Sequence, residues 1–315
     1  GSYVSSYTDV RTGLPVYSLY GKQKHPSAAM LAGVDVLLFD IQDVGARPYT
    51  YVSTMAYAME AAKRFHKEIW ILDRPNPLGG EAVEGPVLDP RFKSFIGLYP
   101  IPMRHGMTVG ELAMLFNAHY GIGAKLRVIR MNGWHRNMLW PQTGLQWVQT
   151  SPNIPEWSTT VVYPCTGLID NAGLNGGIGT TKPFKYAGAI GLDAYRLAAV
   201  LNAKQLPGVY FRPAYWSPFF GALTQRQLAG VEFVVYDPHA FVPVRTAVEL
   251  LAAVRDISPS TIKIDAKPLD IDWGTDSLRL GLSAGRSAEA IWNAWQPAVN
   301  RFKAVRANYL LYTAP

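Results

Sequence analysis

Short apolar runs alternate with helical spacing through the first half of the chain. "VDVLLFD" (34–40) and "EIWILD" (68–73) read as buried strands that end on acids, Asp40 and Asp73. Helical spacing runs from about Thr50 to Arg64, and "TVGELAMLFNAHYG" (108–121) reads as an amphipathic helix. Thr108 and Glu111 have the spacing of a capping box at its start. "KLRVIRM" (125–131) follows as a further strand. Strands apolar on both faces and alternating with helices predict a parallel sheet covered on both sides, whose ligand site lies beyond the carboxyl ends of the strands. Asp40 and Asp73 fall at that edge.

From about residue 186 the rhythm changes. A helix over 192–203 leads to strands in "VYFRPAYWSP" and "VEFVVYD". A helix around Ala247–Asp256, a strand in "TIKID" and a closing helix from Ser287 to about Tyr309 complete the pattern. The expectation is an α/β protein: a Rossmann-like, doubly wound, mostly parallel sheet over 1–185 and a smaller α+β domain over 186–315.

Composition narrows the function classes. The 315 residues are 49% hydrophobic and 17% charged, enough for a large core. No apolar run reaches the ~18 residues that a membrane span needs, and "GSYVSSYTDV" carries no signal-peptide pattern. The net charge of +7 favours anionic partners, yet no cluster of basic residues marks a nucleic-acid site. Cys165, alone, permits neither an internal disulfide nor a cysteine zinc cluster and is expected as a small buried hydrophobe.

Candidate chemistry centres on carboxylates. Asp40, Asp43, Asp73, Glu81, Glu84 and Asp89 include enough acids for glycoside hydrolysis, which ordinarily uses a facing pair. Glu84, in a loop with little for an acid to cap, is the candidate general acid; Asp43 or Asp40 is the candidate partner. Each acid also has a plain structural role open to it, capping a helix or pairing with Arg47 or Arg74. His105, before a helix start, either contacts a ligand or closes its own turn. The loop "GLNGGIGTTKPF" (173–184), with Thr180 and Thr181, would let a ligand approach its backbone, but it has the wrong order for a phosphate-binding P-loop. "GLSAG" (281–285) matches a nucleophile elbow only by chance, since no histidine follows it. The scattered histidines offer no metal motif, and no dinucleotide fingerprint follows a strand, so neither metal nor cofactor is expected. Tyr49, Tyr51, Trp134, Trp140 and Trp147 add aromatic faces that suit sugars.

The motifs "VYSLYG" (16–21), "FDIQDVGARPYTY" (39–51), "LDRPNPLGG" (72–80), "VEGPVLDP" (83–90), "LYPIPMRHGMTVGEL" (98–112), "SPNIP" (151–155), "GTTKPF" (179–184), "LPGVYFRP" (206–213) and "YLLY" (309–312) resemble the exo-β-N-acetylmuramidases. That resemblance spans almost the whole chain. It implies an exported, two-domain glycoside hydrolase that releases terminal N-acetylmuramic acid from peptidoglycan fragments, with its site in the cleft between the domains. Matching positions become site candidates: Asp40, Gln42, Asp43, Arg47, Tyr51, Asp73, Arg74, Asn76, Glu84, His105 and Asn153. Members of the family carry a Glu-His-Gly motif upstream of the segment equivalent to "SYTD", which this chain begins too late to contain. They also carry a glutamate and an arginine where this chain has Gly176 and Ile178, and commonly an acid where it has Lys185. Those departures leave a second expectation, a relative that binds muropeptides or another acidic sugar without cleaving them.

Overall fold

The computed structural model describes residues 4–21 and 23–313. A small antiparallel hairpin, β1 (Tyr7–Thr8) and β2 (Pro15–Val16), comes first. The main sheet then begins with β3 (Val36–Phe39), α1 (Tyr51–Arg64) and β4 (Glu68–Leu72). An antiparallel pair, β5 (Glu84–Val87) and β6 (Pro102–Arg104), precedes α2 (Val109–Ala118) and β7 (Lys125–Ile129). Strands β3, β4 and β7 lie side by side and parallel, as the alternation predicts, with Phe39 opposite Ile71 and Leu72 opposite Ile129.

The helices start where local chemistry sets them. The Thr108 hydroxyl accepts from the Glu111 amide and the Glu111 carboxylate accepts from the Thr108 amide, closing the capping box at the head of α2. Lys63 and Arg64 sit in the last turn of α1, where they complement the partial negative charge of a helix C-terminus. Met55 and Met59 of α1, and Leu112, Leu115 and Phe116 of α2, bury one sheet face through Phe39, Ile69 and Ile71. Here the pattern overstates the cover. Leu38 points to the opposite face and is 62% exposed, because both crossover helices pack on the Phe39 side.

A second unit, which takes in α3 from before residue 186, comprises α3 (Trp157–Thr166), β8 (Tyr186–Ala189), α4 (Ala194–Ala203), β9 (Val209–Trp216), β10 (Leu228–Val235), α5 (Pro243–Ile257), α6 (Ala266–Trp273), α7 (Ser277–Ser283) and α8 (Ala288–Arg306), whose later turns reach the first core through Val299 and Phe302. Its antiparallel sheet runs in the order β8-β10-β9. Val161, Val162 and Cys165 of α3 join Leu197, Phe211, Val231, Leu251 and Trp273 in its core, and Cys165 is fully buried. "TIKID" forms no strand. Ile262 and Ile264 do face the core, so the alternation is real, but no neighbouring strand pairs with them and the chain turns into α6 instead. The closing helix breaks into a 3-10 turn at Ala307–Tyr309.

The β5–β6 pair lies where the two cores meet. Gly85 has a φ of +81°, and a Cβ there would stand 2.7 Å from Val244 Cγ1 and 2.8 Å from Met103 Cβ. Gly85→Ala therefore suffers both a left-handed backbone and overpacking. We expect it to lose about 2–4 kcal/mol in denaturant titration; an unchanged midpoint would show that this seam yields freely.

Candidate active site

The parallel sheet delivers its acids to one rim. Asp40 follows β3 directly, Asp73 follows β4, and both line a hollow of about 310 Å³ together with Arg74, Met131, Trp134 and Leu145. The Asp40 carboxylate is half exposed, and Arg74 grips its Oδ1 from Nη2 at 2.6 Å and from Nε at 2.8 Å. The indole N–H of Trp134 has no acceptor among the described residues.

Asp73 has a different task. Its Oδ1 accepts from the amides of Gly110 (2.8 Å) and Arg74 (3.0 Å), while its Oδ2 accepts from the hydroxyls of Thr108 and Tyr312, each at 2.7 Å. Burial pushes its pKa up and these donors pull against that rise. A carboxylate bound this way ties α2 and the C-terminal segment to the tip of β4.

A second hollow, about 400 Å³, lies on the other side of the β3 tip, walled by Tyr20, Ile41, Tyr49, Tyr51, Thr54 and Thr150. Tyr49 donates to Thr150 Oγ1 and Tyr51 to the Thr150 carbonyl, each at 2.8 Å. The two rings meet edge-on at 5.0 Å.

Several other sequence candidates lie among buried partners. Glu84 is no free loop acid: it is buried in β5, its Oε1 lies 2.6 Å from Arg104 Nη1, and its Oε2 accepts from the Val244 amide in the first turn of α5. It serves as an ionic cap across the seam, reached by neither hollow. Asp43 is buried, accepts from the Gly45 amide at 2.7 Å, and is raised to about 7 chiefly by desolvation. His105 is wholly buried, its Nε2 4.0 Å from Asp43 Oδ2, and burial lowers it to about 3. Its Nδ1 accepts from the Met107 amide, so the proton of the neutral ring belongs on Nε2. Neither residue reaches the rim.

Arg47 is buried and donates to the carbonyls of Pro86, Ile101 and Asp272. Gln42 binds the carbonyls of Asp43 and Pro75, and Asn76 binds the Met107 carbonyl and the Leu78 amide. These side chains shape loops. Thr180 closes a turn onto the Gly177 carbonyl in the second unit, and neither it nor Thr181 lines either hollow. Asn153 stands next to Ser151 and Pro152 of the tyrosine hollow without lining it. Of the residues that do line the hollows, Asp40, Asp73, Arg74 and Tyr51 were legible as site candidates. Ile41, Thr54, Thr150 and Met131 were not, since nothing in their types announces a ligand; Tyr20 lay in a family-like motif and Trp134 among the noted aromatics.

Comparison with known proteins fixes the kinship. The family model for the N-terminal part of exo-β-N-acetylmuramidase NamZ matches residues 1–158, and that for its C-terminal part matches residues 161–312. The chain belongs to the exo-β-N-acetylmuramidase family. It is 45% identical over 313 residues to the peptidoglycan β-N-acetylmuramidase NamZ of Bacillus subtilis (strain 168), covering 99% of this chain and 76% of that relative. A crystal structure of a DUF1343 family protein from Bacteroides fragilis NCTC 9343 superposes with a TM-score of 0.92 at 37% identity, covering 97% of this chain and 82% of the other. Another DUF1343 protein of the same strain gives 0.76 at 28% identity, covering 98% and 82%.

Within this family member, Glu84→Gln should act on stability. Leaving Arg104 buried without its counter-ion is expected to lose about 3–5 kcal/mol in urea titration, with little change in turnover where the variant is still folded; a stable but inactive variant would restore Glu84 as the general acid. Asp43 has the opposite signature. Its folded-state value of about 7 lies above the ordinary 3.8, so the unfolded chain gives up the proton first and folding stability falls as pH rises through that window. His105 adds a contrary slope below its ordinary 6.5, but that slope is common to parent and variant. Asp43→Asn should therefore gain on the parent protein between pH 4 and 8, by roughly 2–4 kcal/mol at the upper end. Parallel pH–stability curves for the two proteins would contradict a buried, proton-holding Asp43.

Proposed function

We propose that this chain is an exo-acting glycoside hydrolase that releases terminal N-acetylmuramic acid from peptidoglycan-derived saccharides, working on a Rossmann-like sheet outside the cytoplasm in turnover of the cell wall. Kinship supplies the class: the Bacillus subtilis relative at 45% identity is a peptidoglycan β-N-acetylmuramidase. The observation that carries the assignment to a place is the solvent-facing Asp40–Arg74 pair at the tips of the parallel strands. Among Asp40, Asp43, Asp73 and Glu84, Asp40 alone is neither buried nor saturated with donors.

In this assignment the Arg74 guanidinium pairs with the lactyl carboxylate that distinguishes muramic acid from other amino sugars, using donors not engaged by Asp40. Asp40, gripped by the same cation, stands beside the sugar, where a carboxylate activates water or stabilises the positive charge that develops at the anomeric carbon. Trp134 contributes an apolar wall.

A chromogenic β-glycoside of N-acetylmuramic acid tests this directly. The parent protein should release the chromophore. Asp40→Asn should lower kcat by at least ~100-fold at unchanged Tm, and Arg74→Met should raise KM for the muramic acid glycoside more than for the N-acetylglucosamine one. Binding of muramic acid without release of chromophore would favour the second reading, a diverged acidic-sugar binder, which is motivated by Gly176 and Ile178 standing where the family carries a glutamate and an arginine.

A further inference from the structure

On one flank of the first unit, cations stand on aromatic rings rather than beside carboxylates. Lys24 holds its ammonium 4.1 Å from the centre of the Phe95 ring, Phe95 stacks on Tyr57 at 5.9 Å, and Tyr57 meets His25 at 3.8 Å. Lys93 lies over Tyr99 at 5.6 Å. Glu60, the one acid among these groups, is already engaged. Its Oε1 accepts from the Tyr99 hydroxyl at 3.1 Å, and its Oε2 lies 3.2 Å from His25 Nε2. Lys63 and Arg64 follow Glu60 by three and four positions on α1, which places them on the same helix face. Among the described residues, none of Lys24, Lys63, Arg64 and Lys93 forms an ion pair.

The rings serve as supports. Tyr57 is engaged by both His25 and Phe95, and Phe95 by both Tyr57 and Lys24. A lysine stem seated on an aromatic face presents its ammonium at a fixed place. The surface therefore offers spaced positive charge, and none of its residues lines either hollow described above. A single anion gains little from an exposed cation in water. A chain of anions spanning several cations gains at each of them and loses its freedom only once.

The flank also lies away from the strand tips. α1 begins at Tyr51, close to the tip of β3, and its last residue, Arg64, is about 20 Å further along the helix axis. A polymer held at that end leaves Asp40 and Arg74 open. We propose that this flank docks a polyanionic chain of the cell wall, a polymer of phosphodiester-linked polyols carried by the same wall that supplies the substrate. The choice of partner rests on the activity proposed above; the unpaired cations do not. Fixed charges without a pocket to read bases fit a uniform repeating anion rather than a nucleic acid sequence.

The test uses cell walls that retain their phosphodiester polymer and the same walls freed of it by hydrofluoric acid. The parent protein should sediment with the intact walls and bind the stripped ones at least ~10-fold more weakly, a difference that shrinks as salt rises from about 50 to about 200 mM. Combining Lys24→Gln, Lys63→Gln, Arg64→Gln and Lys93→Gln should weaken binding to intact walls at least ~10-fold and leave hydrolysis of the chromogenic glycoside unchanged. A control variant loses the same charge from exposed positions elsewhere, through Arg196→Gln, Lys267→Gln, Arg286→Gln and Arg301→Gln. It should bind within about 2-fold of the parent, because screening confines each charge to its neighbourhood. Equal binding to intact and stripped walls, or equal loss in the two variants, would overturn the proposal. So would displacement by a DNA oligonucleotide at a lower phosphate concentration than by poly(glycerol phosphate). Sedimentation needs no turnover, so a parent protein that releases no chromophore defeats the activity reading while the wall comparison still decides the docking surface.

Discussion

Buried guanidinium groups hold this fold in the shape its site requires. Burying a cation is tolerable only where fixed acceptors replace water, and here the acceptors are two buried carboxylates and backbone carbonyls, many of them in the loops that follow β4 and β6. Arg136 binds Glu111 and the carbonyls of Gly80 and Gly106; Arg306, from the far end of the chain, binds those of Gly80, Glu81, His105 and Gly106. Arg104 binds Glu84 and the Leu78 carbonyl, and Arg47 reaches across to Asp272. Burial draws Arg47 and Arg306 down to about 10, still well above the physiological range, so both remain charged. Loops without regular structure are thereby fixed, and the rim they form is fixed with them.

This arrangement divides the charged residues by task. Those facing inward are paired and immobile: Glu84 with Arg104, Glu111 with Arg136, and Asp73 with its ring of donors. Asp40 and Arg74 face outward, where a substrate can compete for them. The seam between the cores thus looks on paper like a catalytic cleft, rich in acids and bases, while physically it is a packed joint. The pair that meets solvent, Asp40 and Arg74, stands at the strand tips on one side of that joint.

Much of this was legible in the chain, for identifiable reasons. The runs ending at Asp40 and Asp73 and the Thr108–Glu111 capping box depend on near neighbours, so periodicity exposes them. The role of Glu84 was hidden because its partners are remote in sequence: Arg104 lies on the paired strand and the Val244 amide opens a helix of the other unit. The burial of Asp43 and His105 was hidden for the same reason, since residue type reveals chemistry but not whether solvent reaches it. Leu38 shows the converse, an apolar residue in an apolar run that nonetheless meets solvent.

The central claim is that the strand-tip hollow holding Asp40 and Arg74, rather than the acid-rich seam around Glu84, receives the terminal acidic sugar. A crystal structure of the protein soaked with N-acetylmuramic acid tests it most directly. The account predicts the sugar carboxylate within hydrogen-bonding distance of Arg74 and the anomeric carbon facing Asp40. A sugar ordered against Glu84 or His105, with those side chains swung out of their buried pairings, would contradict it.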